Sequence, residues 1–452
     1  MRAARGAVAL LAVSVLAATI VEAVGTAPPA SAAVEPVGLV MRAPGAYDGY
    51  TLYGPLNTSD TYLVDMDGEV VHEWPNTARP GNSVYLLPNG RLLRTEKSAR
   101  GHFGGGRGRG GVVEEIGVDG EVRWRLDYAT KEHLQHHDVE PLPNGNVLLL
   151  AWERHTLEEA IARGRDPALL TGKDFWSEKV VEIDRTTKEE VWSWRVWDHL
   201  VQDLDPAKPD FGVVADHPGR MDINFPGGPR DWLHANSITY DAALDQILIS
   251  LRRPSEIWIV DHSIDTRTAR GDEGDLLFRW GNPAVYHHGT RADRQLFDQH
   301  DARWIPAGTP GAGSILVFNN GDVGVREYSS VDEITPATEA GRYARGADGA
   351  FLPRALTRVY PSAAGHEQWW SPAISGAQRL PNGNTLIADG PVGRVFEVTA
   401  SGEKVWEYVN PFYPRDARAG TNPRGTEIVQ WRVFRAERYA PDYPGIRKLQ
   451  LR

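Results

Sequence analysis

The chain contains no cysteine in 452 residues. That removes disulfides, thiolate metal sites and cysteine nucleophiles in one step. It leaves the redox compartment unreadable, because an exported protein need not carry disulfides. Blocks of positive charge are missing too. Lys and Arg number 49 against 60 Asp and Glu, a formal net charge of −11, and the basic glycine-rich stretch from Gly104 to Gly111 holds only Arg107 and Arg109. Nucleic acid is therefore not expected as a partner, and the stretch reads as a flexible surface loop. Beyond the N-terminus no apolar run approaches the ~18–20 residues that cross a bilayer. Helical periodicity is scarce, with one short stretch near Leu157–Arg163.

What the N-terminus does contain is an export signal. Arg2 and Arg5 precede an apolar run from Ala7 to about Ile20, and Ala30 and Ala32 form a small-x-small cleavage pattern. Residues 1–32 read as a signal peptide removed near Ala33, which implies a secreted or periplasmic protein; a retained anchor is the alternative. A short extension over 33–59 and a single large domain over 60–452 are expected to follow. The length exceeds the roughly 250–300 residues one simple core supports, so a large closed or repetitive architecture, or two domains, is required.

Repeats decide between these. Tyr62–Trp74, Val113–Trp124, Val180–Trp192 and Val395–Trp406 each read as a strand, an acidic or glycine turn, and a second strand ending in Trp. Ile257–Asp261 running on to Leu276–Trp280 is a longer-turned copy, and Val325–Tyr328 starts another. Alternating apolar and polar residues around Asp-Gly or Ser-Gly signal β-hairpins. Between the hairpins recurs Leu-Pro-Asn-Gly, at Leu87, Leu142 and Leu380, with a degenerate Ile305-Pro306 copy; Pro fixes φ and Asn-Gly accepts positive φ. Six such units predict an all-β, six-bladed β-propeller, with a pair of β-sandwiches as the alternative.

The repeat register points to a site. The position six residues before the turn proline is Asn82, His137, His300 and Ser375, and the apolar spacing of the third unit places His234 in the same slot. Equivalent positions at the start of innermost strands face the channel at one end, so three imidazoles distant in sequence are expected to converge there. Asn236 lies two residues after His234, on the same face by the period of two. Arg252 ends the following strand, Gln246–Arg252, aimed back toward the same mouth. By alternation His136 points away, while Asp138 and Asp301 orient neighbouring groups. Three chemistries fit such a cluster: a three-histidine zinc site, which Arg252 would oppose; passive binding of an anionic group; and transfer of an anionic group through a nucleophilic histidine.

Over nearly all of the mature chain these residues resemble the bacterial arylsulfotransferases, the PAPS-independent aryl-sulfate sulfotransferases. The likeness runs through Gly49–Leu52, Thr61–Asp65, Leu233–Ser237, Gln246–Arg252, Gln299–Asp301 and Trp406–Tyr408. Its most specific part is His-x-Asn-Ser followed by the Ile-Ser-x-Arg strand. The resemblance implies a six-bladed propeller and a ping-pong sulfuryl transfer from a phenolic sulfate ester to another phenol, with no metal and no cofactor. It implies that His300 is transiently sulfated, that His234, Asn236 and Arg252 bind and polarise the sulfuryl group, and that His137 completes the pocket. The family's larger N-terminal β-domain, which supports dimerisation, has no counterpart in the 33–59 stretch, so the oligomeric state stays open. The insertion from about Val196 to Asp231 and the Leu157–Arg163 stretch are candidate lids, and Trp304 and Tyr240 candidate stacking surfaces. A secreted propeller that binds anionic or aromatic ligands without chemistry, and a histidine-cluster metal-dependent hydrolase, remain competing readings.

Overall fold

The computed structural model describes residues 37–100, 103–104, 107–361, 369–413, 420–421, 427–428 and 431–451; the expected signal peptide lies outside them. Six antiparallel sheets, five of four strands and one of five, carry the architecture. From the innermost strand outward, blade 2 is Pro80–Leu86, Leu92–Lys97, Gly111–Ile116 and Val122–Asp127. Blade 3 is His133–Pro141, Val147–His155, Phe175–Ile183 and Glu190–Arg195, and blade 4 is Ala235–Asp241, Gln246–Leu251, Glu256–Asp261 and Phe278–Trp280. Blade 5 is His300–Trp304, Ile315–Asn319, Ser330–Ile334 and Thr357–Tyr360, and blade 6 begins at Gly376–Arg379 and ends at Lys404–Val409. The fold is the six-bladed β-propeller expected.

Blade 1 closes the ring. Its inner strand is C-terminal, Val433–Tyr439, and its other three are Tyr50–Pro55, Thr61–Val64 and Val70–Trp74. Pairing the two ends of the chain within one sheet fastens the ring shut. The propeller thus starts earlier than the boundary at residue 60. Tyr50–Pro55 pairs with both Val433–Tyr439 and Thr61–Val64, and Gly38–Arg42 adds a fifth strand to blade 6 along Lys404–Val409. A second correction concerns blade 5. Val325 lies in an exposed turn that Arg326 closes by donating its N–H to Asp322 (2.9 Å), so the strand begins at Ser330 rather than Val325.

The tryptophans that end the hairpins join the blades. Trp124 donates its indole N–H to the Arg185 carbonyl (2.8 Å), Trp192 to Ile264 (2.8 Å), Trp280 to Pro353 (2.6 Å) and Trp406 to Met66 (3.0 Å). Each acceptor lies in the connection between the third and fourth strands of the next blade, and the last bond runs from blade 6 to blade 1. Each of these four tryptophans therefore packs its ring between blades and satisfies its one donor on a neighbour's turn. No helix among the described residues is long and apolar enough to cross a membrane. The α-helices among the described residues are Leu157–Ala162, capped by Thr156 and Glu159 in a reciprocal box, and Pro444–Leu449.

Candidate active site

Inner strands of blades 2 to 5 share an irregularity. Their pairing with the second strand shifts register at Pro80/Val84, at Leu149/Ala151 opposite His136–Asp138, at Ala235/Ser237 and at His300/Arg303. Such bulges turn side chains out of the regular alternation, and they recur beside functional sites. Here they cluster the sequence-selected residues at one mouth of the channel.

The rings of His137 and His234 lie 4.7 Å apart, edge to face. Both residues and His300 are buried, as is Asn236. His300 is held from behind: its Nδ1 is 2.7 Å from Asn320 Oδ1 and 3.1 Å from the Asp298 carbonyl. Asn320 cannot reverse its amide without loss, because its Nδ2 donates to the carbonyls of Ser371 (2.8 Å) and Ile374 (2.9 Å). Two acceptors facing Nδ1 assign the proton to that nitrogen, which leaves the Nε2 lone pair free. Burial first, and the nearby Arg252 charge second, lower the His300 pKa to about 3, so the ring is neutral at neutral pH. His137 is driven well below its ordinary value by burial and by the neighbouring His234.

Carboxylates organise the other two groups. Asp231 binds His234 Nδ1, leaving Nε2 of that ring for the pocket. Asp298 pairs with Arg252 through its carboxylate while its carbonyl meets His300, so one residue positions both. Arg252 remains about a quarter exposed at its side chain. Asn236 donates Nδ2 to the Gln299 carbonyl (2.8 Å), and its Oδ1 has no partner among the described residues.

Two expectations change. His136 does not point away: the bulge brings its Nδ1 within 2.8 Å of His137 Nδ1, and its Nε2 within 2.9 Å of Glu178. Trp152 stacks on the His136 ring at 4.2 Å. His234 also does not share the slot of His137 and His300. In three successive blades a side chain accepts a backbone N–H from the next inner strand: Asp138 from Ile238 (3.1 Å), Ser237 from Ala302 (3.0 Å) and Asp301 from Ala377 (3.0 Å). That equates Ser237 with Asp138 and Asp301, hence Asn236 with His137 and His300. His234 enters the mouth from two residues earlier.

Several neighbours were not singled out in the sequence. Arg435, on the inner strand of blade 1, pairs with Asp138 (2.8 Å) and Asp301 (3.0 Å) just beneath the histidines. A signal existed, because Pro441 lies six residues beyond Arg435, the offset used for the histidines. For His136–Glu178 no sequence pattern was available. Gly108, read as part of a surface loop, packs on the site. Its carbonyl accepts the His137 N–H (2.7 Å), and with φ +81° a Cβ there would fall 2.0 Å from the His137 ring. At that position only glycine fits.

The insertion from Val196 to Asp231 is folded in. Leu200–Val201 pairs with Met221–Asp222, and Val196, Leu200, Met221 and Ile223 belong to the largest apolar cluster. Trp304 and Tyr240 lie at the ends of their inner strands away from the histidines, Trp304 about 13 Å along from His300 at the usual strand rise. No group of three metal-ligating side chains among the described residues is disposed to hold an ion.

Comparisons with known proteins agree with the sequence likeness. The arylsulfate sulfotransferase AssT of Lelliottia amnigena is 26% identical over 303 residues, covering 58% of this chain and 46% of that protein. The AssT of Escherichia coli O6:H1 is 23% identical over 389 residues, covering 75% of this chain and 58% of that protein. The chain thus spans about half the length of the curated relatives it matches. Among solved structures, a Bacteroides caccae protein of unknown function matches with a TM-score of 0.43 at 14% identity, over 80% of this chain and 93% of that one. The arylsulfotransferase (ASST) family model matches residues 49–411, most of the chain, and the protein belongs to that family.

Proposed function

We propose that this protein is an exported aryl-sulfate sulfotransferase, moving a sulfuryl group from a phenolic sulfate ester to another phenol in two half-reactions through His300. Family membership supports the reaction class. The observation that supports His300 as the nucleophile is its buried, neutral ring, with Nδ1 spent on Asn320 and Asp298 and Nε2 left open.

In the first half-reaction the Nε2 lone pair forms an N–S bond as the S–O bond to the aryl group breaks, and the phenolate leaves with that electron pair. Arg252, already oriented by Asp298, can grip two sulfuryl oxygens with its planar fork. His234 in its imidazolium form, its Nδ1–H on Asp231, gives the Nε2 proton to the departing oxygen. In the second half-reaction the neutral His234 ring takes the acceptor phenol's proton as the phenol oxygen attacks sulfur and His300 is released. Asn236 and His137 line the pocket around the transferring group. The donor sulfate is a monoanion with a good leaving group, so orientation and charge stabilisation supply most of the acceleration. Neither a metal nor the nucleotide sulfate donor enters this scheme. The chain's N-terminus, Arg2 to Ala33, supports export to the periplasm or beyond.

The test is incubation with 4-nitrophenyl sulfate and no acceptor. One sulfuryl group should accumulate on His300, acid-labile as a bond to imidazole nitrogen is, and be discharged by added phenol. His300→Ala should show neither adduct nor turnover. An adduct that persists in His300→Ala would overturn the assignment, and label on His234 would exchange the two roles.

A further inference from the structure

The chain is acidic overall, yet cations ring its channel mouth. Arg107 and Arg109 flank Gly108, the glycine that touches His137, and Arg109 forms a β-bridge with His136. Lys97 pairs in register with Gly111 and donates its backbone N–H to the Arg79 carbonyl (3.1 Å), which brings Arg79 and Lys97 beside the same loop. Arg253 follows Arg252 and donates its N–H to the Leu233 carbonyl (3.0 Å). Arg432 immediately precedes the inner strand whose Phe434 ring lies 6.2 Å from that of His137.

Among the described residues none of these six cations has an ion pair. The carboxylates at the site are committed elsewhere, Asp231 to His234, Asp298 to Arg252 and Glu178 to His136. The Nε atoms of Arg109 and Arg432 are buried with no partner among the described residues. The side chains also feel one another: besides burial, the Arg107 charge depresses Arg432, and the charges of Arg79, Arg109 and Arg432 depress Lys97. Mutual repulsion of this kind is an unfavourable feature of the unliganded protein, and it is relieved by an anion. The sulfuryl pocket does not account for it, because Arg252 already supplies the cation there and carries its own carboxylate.

Resting on the sulfotransfer reading of the pocket, we infer that the rim is a second anion subsite, and that the preferred aryl substrates carry an additional acidic group, such as a carboxylate, away from the phenolic oxygen. Held with its phenol oxygen at His234, such a substrate would place its remote anion among Arg107, Arg109, Lys97 and Arg432. The rim would also concentrate anionic aryl compounds from solution at the mouth, an attraction that weakens with ionic strength.

The test uses two acceptors that differ only in charge, 4-hydroxyphenylacetate and its neutral amide, with the full chain. Equilibrium binding and KM in the presence of 4-nitrophenyl sulfate are measured for each. The carboxylate should be favoured by roughly tenfold at low salt, and the preference should shrink by several-fold near 0.5 M NaCl, where screening shortens to a few Å. Arg107→Gln combined with Arg432→Gln should bring the ratio close to one. The salt series on the unsubstituted protein keeps the idea testable if that double variant fails to fold. Equal affinity for the two acceptors, or a preference unaltered in the double variant but lost in Arg252→Gln, would overturn the subsite. If the carboxylate is preferred but no sulfuryl transfer occurs, the subsite stands and the sulfotransfer reading falls. Transfer without any preference removes the subsite and leaves sulfotransfer standing.

Discussion

Asn320 is the residue whose removal most directly tests how His300 is prepared for attack. Its Oδ1 lies 2.7 Å from His300 Nδ1, and its amide nitrogen is fixed by two backbone carbonyls. In Asn320→Ala the ring keeps only the longer contact to the Asp298 carbonyl at 3.1 Å. Losing one partner of a buried donor costs about 1–3 kcal/mol. Because the Asp298 carbonyl still favours the same tautomer, the lower half of that range applies, or roughly 5–30-fold in rate at 1.36 kcal/mol per decade. The assay is single-turnover release of 4-nitrophenolate without acceptor, which reads the first half-reaction alone. Rates are normalised to folded protein by a parallel melting curve. Asn320→Asp separates geometry from charge. It keeps an oxygen facing Nδ1, but its negative charge favours imidazolium and raises the His300 pKa from its low native value. An acid limb should then appear in the rate profile at a higher pH than in the unsubstituted protein. A full rate in Asn320→Ala at every pH, with no shift of the acid limb in Asn320→Asp, would refute the tautomer argument.

Other consequences are equally concrete. Arg252→Ala should slow both half-reactions by about 10²–10³, the usual loss for one preorganised donor, measured by adduct formation and by its discharge with phenol. Asp231→Asn should slow transfer from poor leaving groups more than from 4-nitrophenyl sulfate, since a stable phenolate needs little protonation; an equal loss across a leaving-group series would remove His234 from the proton-transfer role. Stability should fall on acidification through His300. Its native pKa is lowered to about 3 from the ordinary 6.5, so the unfolded state binds the extra proton and stability drops as pH falls from about 6.5 toward 3. In His300→Gln the melting temperature should decline less steeply between pH 7 and 4, and an unchanged slope would contradict the burial argument.

Much of the blade architecture could be read from the Trp-ended hairpins and the Leu-Pro-Asn-Gly turns, because both repeat and each repeat must find the same partner. Trp124, Trp192, Trp280 and Trp406 bond to equivalent turns, so each marks the outer strand of a blade. The first blade was harder, since its inner strand is supplied by Val433–Tyr439, far from the three strands it completes. Alternation failed where the strands bulge. A period of two sends His136 outward, and apolar spacing puts His234 level with His137, whereas the register shifts at Leu149/Ala151 and Ala235/Ser237 undo both. Bulges of this kind depend on pairing with the neighbouring strand, so no single segment announces them. Contacts such as His136–Glu178 and His300–Asn320 are tertiary in the same sense.

Closure of the ring and assembly of the site are one event in this fold. Arg435 lies on the propeller's last strand in chain order, and its guanidinium sits between Asp138 and Asp301, with Tyr85 at 3.0 Å. Those two aspartates directly follow His137 and His300, and each also receives a backbone N–H from the next blade. Before the C-terminal strand docks, the buried Asp138 carboxylate lacks its counter-charge, whereas Asp301 keeps Arg303 at 2.7 Å. Arg435→Met should therefore be costly, by about 3–5 kcal/mol, because it strands the Asp138 carboxylate in the interior. Replacing Asp138 by Asn in the same chain should recover part of that loss, since an amide tolerates burial without a cation. The comparison is made by chemical denaturation of the single and double variants. A double variant no more stable than Arg435→Met would mean that the network is not held by charge, and that ring closure rests on packing alone.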